Sequence, residues 1–172
     1  MAYLPIPDLM LRSVYELTPA RLRALGVKLL LLDLDNTLAE YGVPAPAPAL
    51  LPWLRRVQRA GIEPLIFSNS RGGRPARFSQ ALGIENLGRA KKPSPKKLLR
   101  LLKERGLRPK DAALVGDQVY TDIFCAKRAG VLAISVRPLN LSAPHRALRY
   151  ALELPLRLAG RVKGKCAGWG RA

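Results

Sequence analysis

Acidic residues, cysteines and aromatic residues are all scarce in this chain of 172 residues, and each scarcity removes a class of protein. Two cysteines, Cys125 and Cys166, are too few and too far apart for a disulfide framework or a four-thiolate zinc site, so both are expected as free thiols in a reducing compartment. Aromatic residues make up 6% of the chain, which leaves little material for a platform on which nucleic-acid bases stack. Uninterrupted apolar runs stop at four residues, as in Leu29–Leu32, against the roughly 20 that a spanning helix needs. Residues 1–17 hold no basic stretch ahead of an apolar one and carry Asp8 and Glu16, so no secretory leader is expected. The cytoplasm is the expected location, with the inner face of a membrane as a candidate peripheral surface.

Only 12 Asp and Glu face 30 Lys and Arg, a net charge of +18 that asks for an anionic partner. The excess is local. Residues 86–110 hold ten basic residues and one acid, as do residues 123–172, whereas residues 1–85 hold ten and seven. Apolar residues at 48% and charged residues at 24% are ordinary for a globular chain, and the length suits one domain spanning residues 1–172.

The order of elements is legible from punctuation. Thr18-Pro19 reads as a helix start and Gly26 as its stop. Val27 to Leu32 reads as a strand buried on both faces, ending in Asp33-Leu34-Asp35-Asn36-Thr37. Helices are predicted over residues 50–60, 74–82, 95–105 and 121–129, each followed by glycine, and strands over residues 62–67, 112–115 and 131–136. Such alternation predicts an α/β fold, a doubly wound, Rossmann-like and mostly parallel sheet with its ligand site at the carboxyl ends of the strands.

Three strand ends carry polar clusters: Asp33/Asp35/Thr37, Ser68/Asn69, and Asp117 with Asp122 five residues on. Residues i and i+2 of an extended segment share a side, which puts the Asp33 and Asp35 carboxylates near each other. Asp117 adds to the repulsion, and an all-oxygen set of this kind suits Mg²⁺. A carboxylate beside Mg²⁺ can attack a phosphoryl group while a second carboxyl serves as acid and base. Ser68 and Lys92 fit the binding and neutralisation of the phosphoryl oxygens, with Asn69 and Thr37 as further phosphate-binding candidates.

In this order, Asp33-Leu34-Asp35-Asn36-Thr37, Ser68-Asn69, Lys92-Pro93 and Gly116-Asp117-x-x-x-x-Asp122 resemble the four motifs of the haloacid dehalogenase (HAD) superfamily phosphatases. The resemblance implies Asp33 as nucleophile, Asp35 as general acid/base, and an aspartyl-phosphate intermediate. It also implies Mg²⁺ held by the Asp33 side chain, the Asp35 carbonyl and the Asp117 side chain, with Asp122 supporting from behind. Only 30 residues separate Thr37 from Ser68 and 23 separate Ser68 from Lys92, so no cap domain is expected, and the open site implies a large phosphomonoester. Within the superfamily the chain is similar to the capless YqeG-type phosphatases, which implies conversion of phosphatidylglycerophosphate to phosphatidylglycerol. Ser70 stands where that pattern has a second asparagine.

Two rival readings use the same charge: a capless polynucleotide-end phosphatase, and a non-catalytic basic nucleic-acid-binding protein. The segment from about residue 143 to 172 reads as basic and amphipathic, with Leu148, Leu152, Pro155, Leu156 and Ala159 on one stripe and Arg146, Arg149, Arg157 and Arg161 on the other side. One expectation docks this helix on a membrane through its arginines; the other packs the apolar stripe on the sheet and leaves the arginines in water. Trp53 is expected in the core, Cys125 as a buried apolar thiol and His145 on the surface, while Trp169 has no assigned role.

Overall fold

A computed structural model describes residues 4–162; Cys166, Trp169 and the end of the basic segment lie outside the described residues, as does the side chain of Arg161. Six strands form one sheet: β1 (Leu9–Leu11), β2 (Leu29–Leu32), β3 (Glu63–Ile66), β4 (Glu85–Asn86), β5 (Ala112–Gly116) and β6 (Leu132–Val136). Every pairing is parallel, in the order β1-β6-β5-β2-β3-β4. β1 and β4 carry no signal of their own in the sequence, because three and two residues are too short for a period to be read.

The helices are α1 (Pro19–Ala24), α2 (Leu50–Arg59), α3 (Arg74–Leu82), α4 (Lys96–Glu104), α5 (Phe124–Ala129) and α6 (Pro144–Val162). Thr18 caps α1 by accepting the Arg21 N–H, and Gly83 and Gly130 end α3 and α5 in the left-handed conformation that glycine adopts without steric cost. Leu29 to Leu32 are buried on both faces. Leu30 and Leu32 join Trp53 and Phe78 beneath α2 and α3, while Leu29 and Leu31 join Leu98, Leu101 and Ala126 beneath α4 and α5. Each leucine taken out of water contributes roughly 1.5–3 kcal/mol, so the central strand is fixed by both layers. Trp53 is in the core as expected, with its indole N–H donating to the Leu17 carbonyl at 3.0 Å.

From β2 the chain proceeds outward through β3 and β4, then returns to the other side of β2 with β5 and β6. The reversal lies between β2 and β5, where Leu32 pairs with Val115 and the next residues are Asp33 and Gly116. A crevice at the carboxyl ends of the strands is forced at such a point. Residues between Thr37 and Ser68 are used up by turns, α2 and β3, and among the described residues no cap domain stands over that crevice.

α6 departs from both expectations at Arg157, which lies neither in water nor on an outer surface. Glu153 and Arg157 are buried against the sheet edge, Leu156 is partly buried against the core beneath α4 and α5, and Leu148, Leu152 and Leu158 are exposed. Arg157 donates to Ser135 Oγ at 3.0 Å, to the backbone carbonyl of Asp117 and to Glu153, while Glu153 accepts the Val119 N–H at 2.9 Å. Buried backbone groups at that edge need partners, and an i,i+4 charged pair supplies them while neutralising itself. Close approach is possible because Gly160 lies against Met10, whose Sδ is 3.0 Å from where a Cβ would stand.

Candidate active site

Four segments converge at the crevice. The loop after β2 brings Asp33, whose N–H is held by the Val115 carbonyl at 2.9 Å. Its return turn puts Asn36 at φ 61°, a left-handed conformation that asparagine tolerates, and the Asn36 amide donates to the Asn140 carbonyl at 2.9 Å. Ser68 and Asn69 follow β3, Lys92 lies in the loop after β4, Asp117 follows β5, and Asp122 lies within the π-helical turn Val119–Ile123.

Lys92 is buried among carboxylates. Its Nζ stands 2.7 Å from Asp33 Oδ1 and 2.6 Å from Asp122 Oδ1. Burial by itself would lower the ammonium's pKa, but the charges of Asp122 and Asp33 outweigh it and hold the group above the ordinary lysine value. Asn69 fixes this lysine from below, with its Nδ2 donating to the Lys92 carbonyl and its Oδ1 accepting the Lys92 N–H, both at 2.8 Å. The Ser68 hydroxyl is buried at the pocket wall and accepts the Ser70 N–H at 3.2 Å.

Asp33, Asp117 and Asp122 place carboxylate oxygens within 4.8 Å of one another, all three residues buried. One lysine does not balance three carboxylates. Burial, then the charges of Asp122 and Asp33, push the Asp117 carboxyl well above its ordinary value, and Asp122 rises to about 6 by burial, with Lys92 opposing. Asp117 Oδ2 is buried and accepts no hydrogen bond; its nearest cation is the Arg149 guanidinium at 3.7 Å. An orphaned carboxylate oxygen facing two further carboxylates fits a hard divalent cation such as Mg²⁺. Asp122 is braced by the Gln118 N–H at 3.0 Å and lies directly over Gly116, where a Cβ would fall 2.2 Å from its carboxyl.

Two residues sit differently from the simplest reading of their spacing. Asp35 lines the same pocket as Asp33, yet its carboxylate pairs with Arg74 instead of joining the acidic cluster. Arg74 also donates to the Glu40 and Val43 carbonyls, at 2.6 and 3.1 Å, and so ties the start of α3 to the loop after β2. The Thr37 hydroxyl donates to Asp117 Oδ1 at 3.4 Å, and Thr37 lines an apolar cavity on the far side of the loop.

The pocket itself has a volume of about 260 Å³ and is walled by Asp33, Asp35, Ser68 and Lys92 together with Arg71 and Arg149. Arg74 and Arg149 were not legible as site residues. Nothing in their local sequence distinguishes them from the other arginines, and only the folding of α3 and α6 brings them to the crevice.

A model of the haloacid dehalogenase-like hydrolases matches residues 43–130, a span that takes in Ser68, Lys92, Asp117 and Asp122. The probable phosphatase YqeG of Bacillus subtilis is 32% identical over 160 residues, covering 93% of this chain and 92% of that protein. The chloroplastic phosphatidylglycerophosphate phosphatase 1 of Chlamydomonas reinhardtii is 31% identical over 148 residues, 81% of this chain and 55% of that protein. Among solved structures, the 3-deoxy-D-manno-octulosonate 8-phosphate phosphatase of Moraxella catarrhalis, crystallised with magnesium, phosphate and its sugar, superposes with a TM-score of 0.52. It is 16% identical, over 87% of this chain and 94% of that one, a likeness of fold. Near-complete alignment with a relative at this identity, together with the matched model, decides the matter: the chain belongs to the haloacid dehalogenase-like hydrolase family.

Proposed function

We propose that this protein is a Mg²⁺-dependent phosphomonoesterase that works through an aspartyl-phosphate on Asp33 and removes the terminal phosphate of phosphatidylglycerophosphate. The observation that carries the reading is the Asp33 carboxylate, buried at the bottom of an open crevice, with one oxygen held by Lys92 at 2.7 Å and the Asp117 and Asp122 carboxylates beside it.

Asp33 attacks the phosphorus, and the ester oxygen leaves with a proton from Asp35. Asp35 then takes a proton from water, which attacks the phosphoryl group and releases inorganic phosphate, restoring both carboxyls. Lys92 and Ser68 face the transferring phosphoryl oxygens and offset their charge, while Asn69 keeps the Lys92 backbone in place. Arg74 holds Asp35 at the mouth of the pocket and away from the cation site. Asp33, Asp117 and the Asp35 carbonyl would hold the Mg²⁺, with Asp122 bracing the set through Lys92 and Gln118. Bound there, Mg²⁺ would screen the incoming phosphate from the carboxylates and stabilise charge on its oxygens.

Three features support a lipid head group as substrate. The crevice has no cap among the described residues, the chain is strongly basic, and one relative carries that activity in its name. A peripheral position on the inner face of the membrane follows from the same reading; no described helix is long and apolar enough to cross a membrane. The test is phosphate release from phosphatidylglycerophosphate in vesicles, from 3′- and 5′-phosphorylated oligonucleotides, and from small sugar phosphates. The lipid is expected to be turned over most efficiently. Preference for oligonucleotide ends would replace the substrate and keep the chemistry, and no release from any of them would remove both.

A further inference from the structure

α6 packs Leu156 against the core and leaves a wide apolar side facing outward. Leu148 is 64% exposed, Leu152 61% and Leu158 48%, and Pro144, Ala147, Ala151 and Pro155 are exposed with them. At 100° per residue these positions fall on one continuous side. The polar side is consumed internally: Glu153 and Arg157 are buried on the sheet edge, Arg146 lies over the Tyr41 ring at 4.6 Å, and Arg149 lines the pocket. Scattered exposed leucines are ordinary on a soluble surface, whereas a contiguous stripe marks a binding face.

We propose that this leucine face of α6, rather than the arginines, seats the protein on an anionic lipid bilayer; the proposal rests on the reading of the substrate as a membrane-borne phosphomonoester. Charge selects the partner. Residues 139–172 contain seven Lys and Arg and one acid, Glu153, and that acid is spent on Arg157. The face thus belongs to a chain of net charge +18, which suits anionic head groups over acyl chains. A second copy of the chain would bring its own net charge of +18 against this one.

Position supplies the second argument. Arg149, adjacent in sequence to Leu148, reaches the pocket and stands 3.7 Å from Asp117, and the Tyr120 hydroxyl, just after Asp117 and Gln118, donates to the Leu152 carbonyl at 3.3 Å. Half-exposed Tyr120 is placed where amphipathic rings sit at a membrane boundary. Leucines embedded to head-group depth thus put the rim of the pocket at the level of the phosphates. The buried side of the same helix grips the loop of Asp117, so the docking face and the candidate cation site are the two sides of one element.

The test compares the wild type with Leu148→Ser/Leu152→Ser/Leu158→Ser for binding to vesicles of phosphatidylglycerol and phosphatidylcholine in equal parts. The substitutions are expected to weaken binding by about tenfold or more, since each removes an apolar side chain from the interface. Hydrolysis of p-nitrophenyl phosphate should stay unchanged, which also reports correct folding, and Leu148→Phe/Leu152→Phe should bind at least as well as the wild type. Equal binding by the triple serine variant, or its sole effect being conversion of a dimer to a monomer, would overturn the proposal. Phosphatidylglycerophosphate in detergent micelles separates the two readings. Loss of turnover on vesicles but not on micelles supports the docking face, while vesicle binding by a wild type inert towards micellar lipid removes the substrate and leaves the face.

Discussion

Lys92 Nζ stands 2.7 Å from Asp33 Oδ1, across 59 residues of sequence, in a site where burial alone would favour loss of the lysine's charge. The pair persists because Asp122 approaches the same ammonium at 2.6 Å and because Asn69 clamps the Lys92 backbone on both its N–H and its carbonyl. Removing the cation leaves two buried carboxylates facing each other. Lys92→Gln is therefore expected to lower stability by about 3 kcal/mol or more, the cost of breaking a buried ion pair, and to lower kcat/KM by about 10²–10³. Thermal unfolding and phosphate release measure the two effects, and a variant as stable as the wild type would refute the assignment of charge.

Asp33→Asn and Asp35→Asn should both abolish turnover and differ in what they trap. Without the Asp33 carboxylate no phosphoenzyme forms, whereas Asp35→Asn can still accept a phosphoryl group from a substrate with a good leaving group and cannot activate water to release it. Acid-quenched labelling with a phosphate ester separates them. Label on Asp33→Asn would remove Asp33 as nucleophile.

The three-carboxylate cluster links cation binding to pH. The folded Asp122 carboxyl, at about 6, lies above its ordinary 3.8, and Asp117 is displaced the same way. Below 3.8 both the folded and unfolded chains hold these protons, so nothing is lost. As pH rises above 3.8 the unfolded chain releases protons first and the metal-free fold loses stability, the part due to Asp122 being complete above about 6. The ionised cluster is the form that would hold Mg²⁺, so the rise in Tm on adding it should be larger at pH 8 than at pH 5. An equal rise at both pH values would place the cation elsewhere.

Gly116→Ala introduces a methyl where the Asp122 carboxyl stands, 2.2 Å away, and Asp122 must move. The expected cost is about 1–3 kcal/mol with a clear loss of activity, because Lys92 loses its second partner. Adding Asp122→Ala should return part of the stability lost in Gly116→Ala without restoring turnover, a non-additivity that a double-mutant cycle reads directly. Strict additivity would show that the two positions do not share the space.

Glu153 and Arg157 form a buried pair that holds the Asp117 carbonyl and the Val119 N–H. Glu153→Ala strands the arginine and is expected to cost about 3–5 kcal/mol, whereas Glu153→Leu/Arg157→Met should fold well and bind Mg²⁺ more weakly, with its catalytic loss reduced at high Mg²⁺. Titration of activity with Mg²⁺ distinguishes a positioning role from a purely structural one, which would leave the metal dependence unchanged.

The helices, the central strands, the burial of Leu29–Leu32 and the gathering of Asp33, Ser68 and Asp117 at one edge follow from local signals: glycine and proline punctuation, period, and the direction of a parallel strand. These are properties of short segments and need no partner to be read. What Arg74, Arg149, Glu153 and Arg157 do depends on which surface α3 and α6 are laid against, and no period encodes that. The sequence makes α6 amphipathic; the side that turns inward was chosen by the unpaired Val119 N–H, Asp117 carbonyl and Ser135 hydroxyl at the sheet edge, which water cannot reach and an ion pair can satisfy.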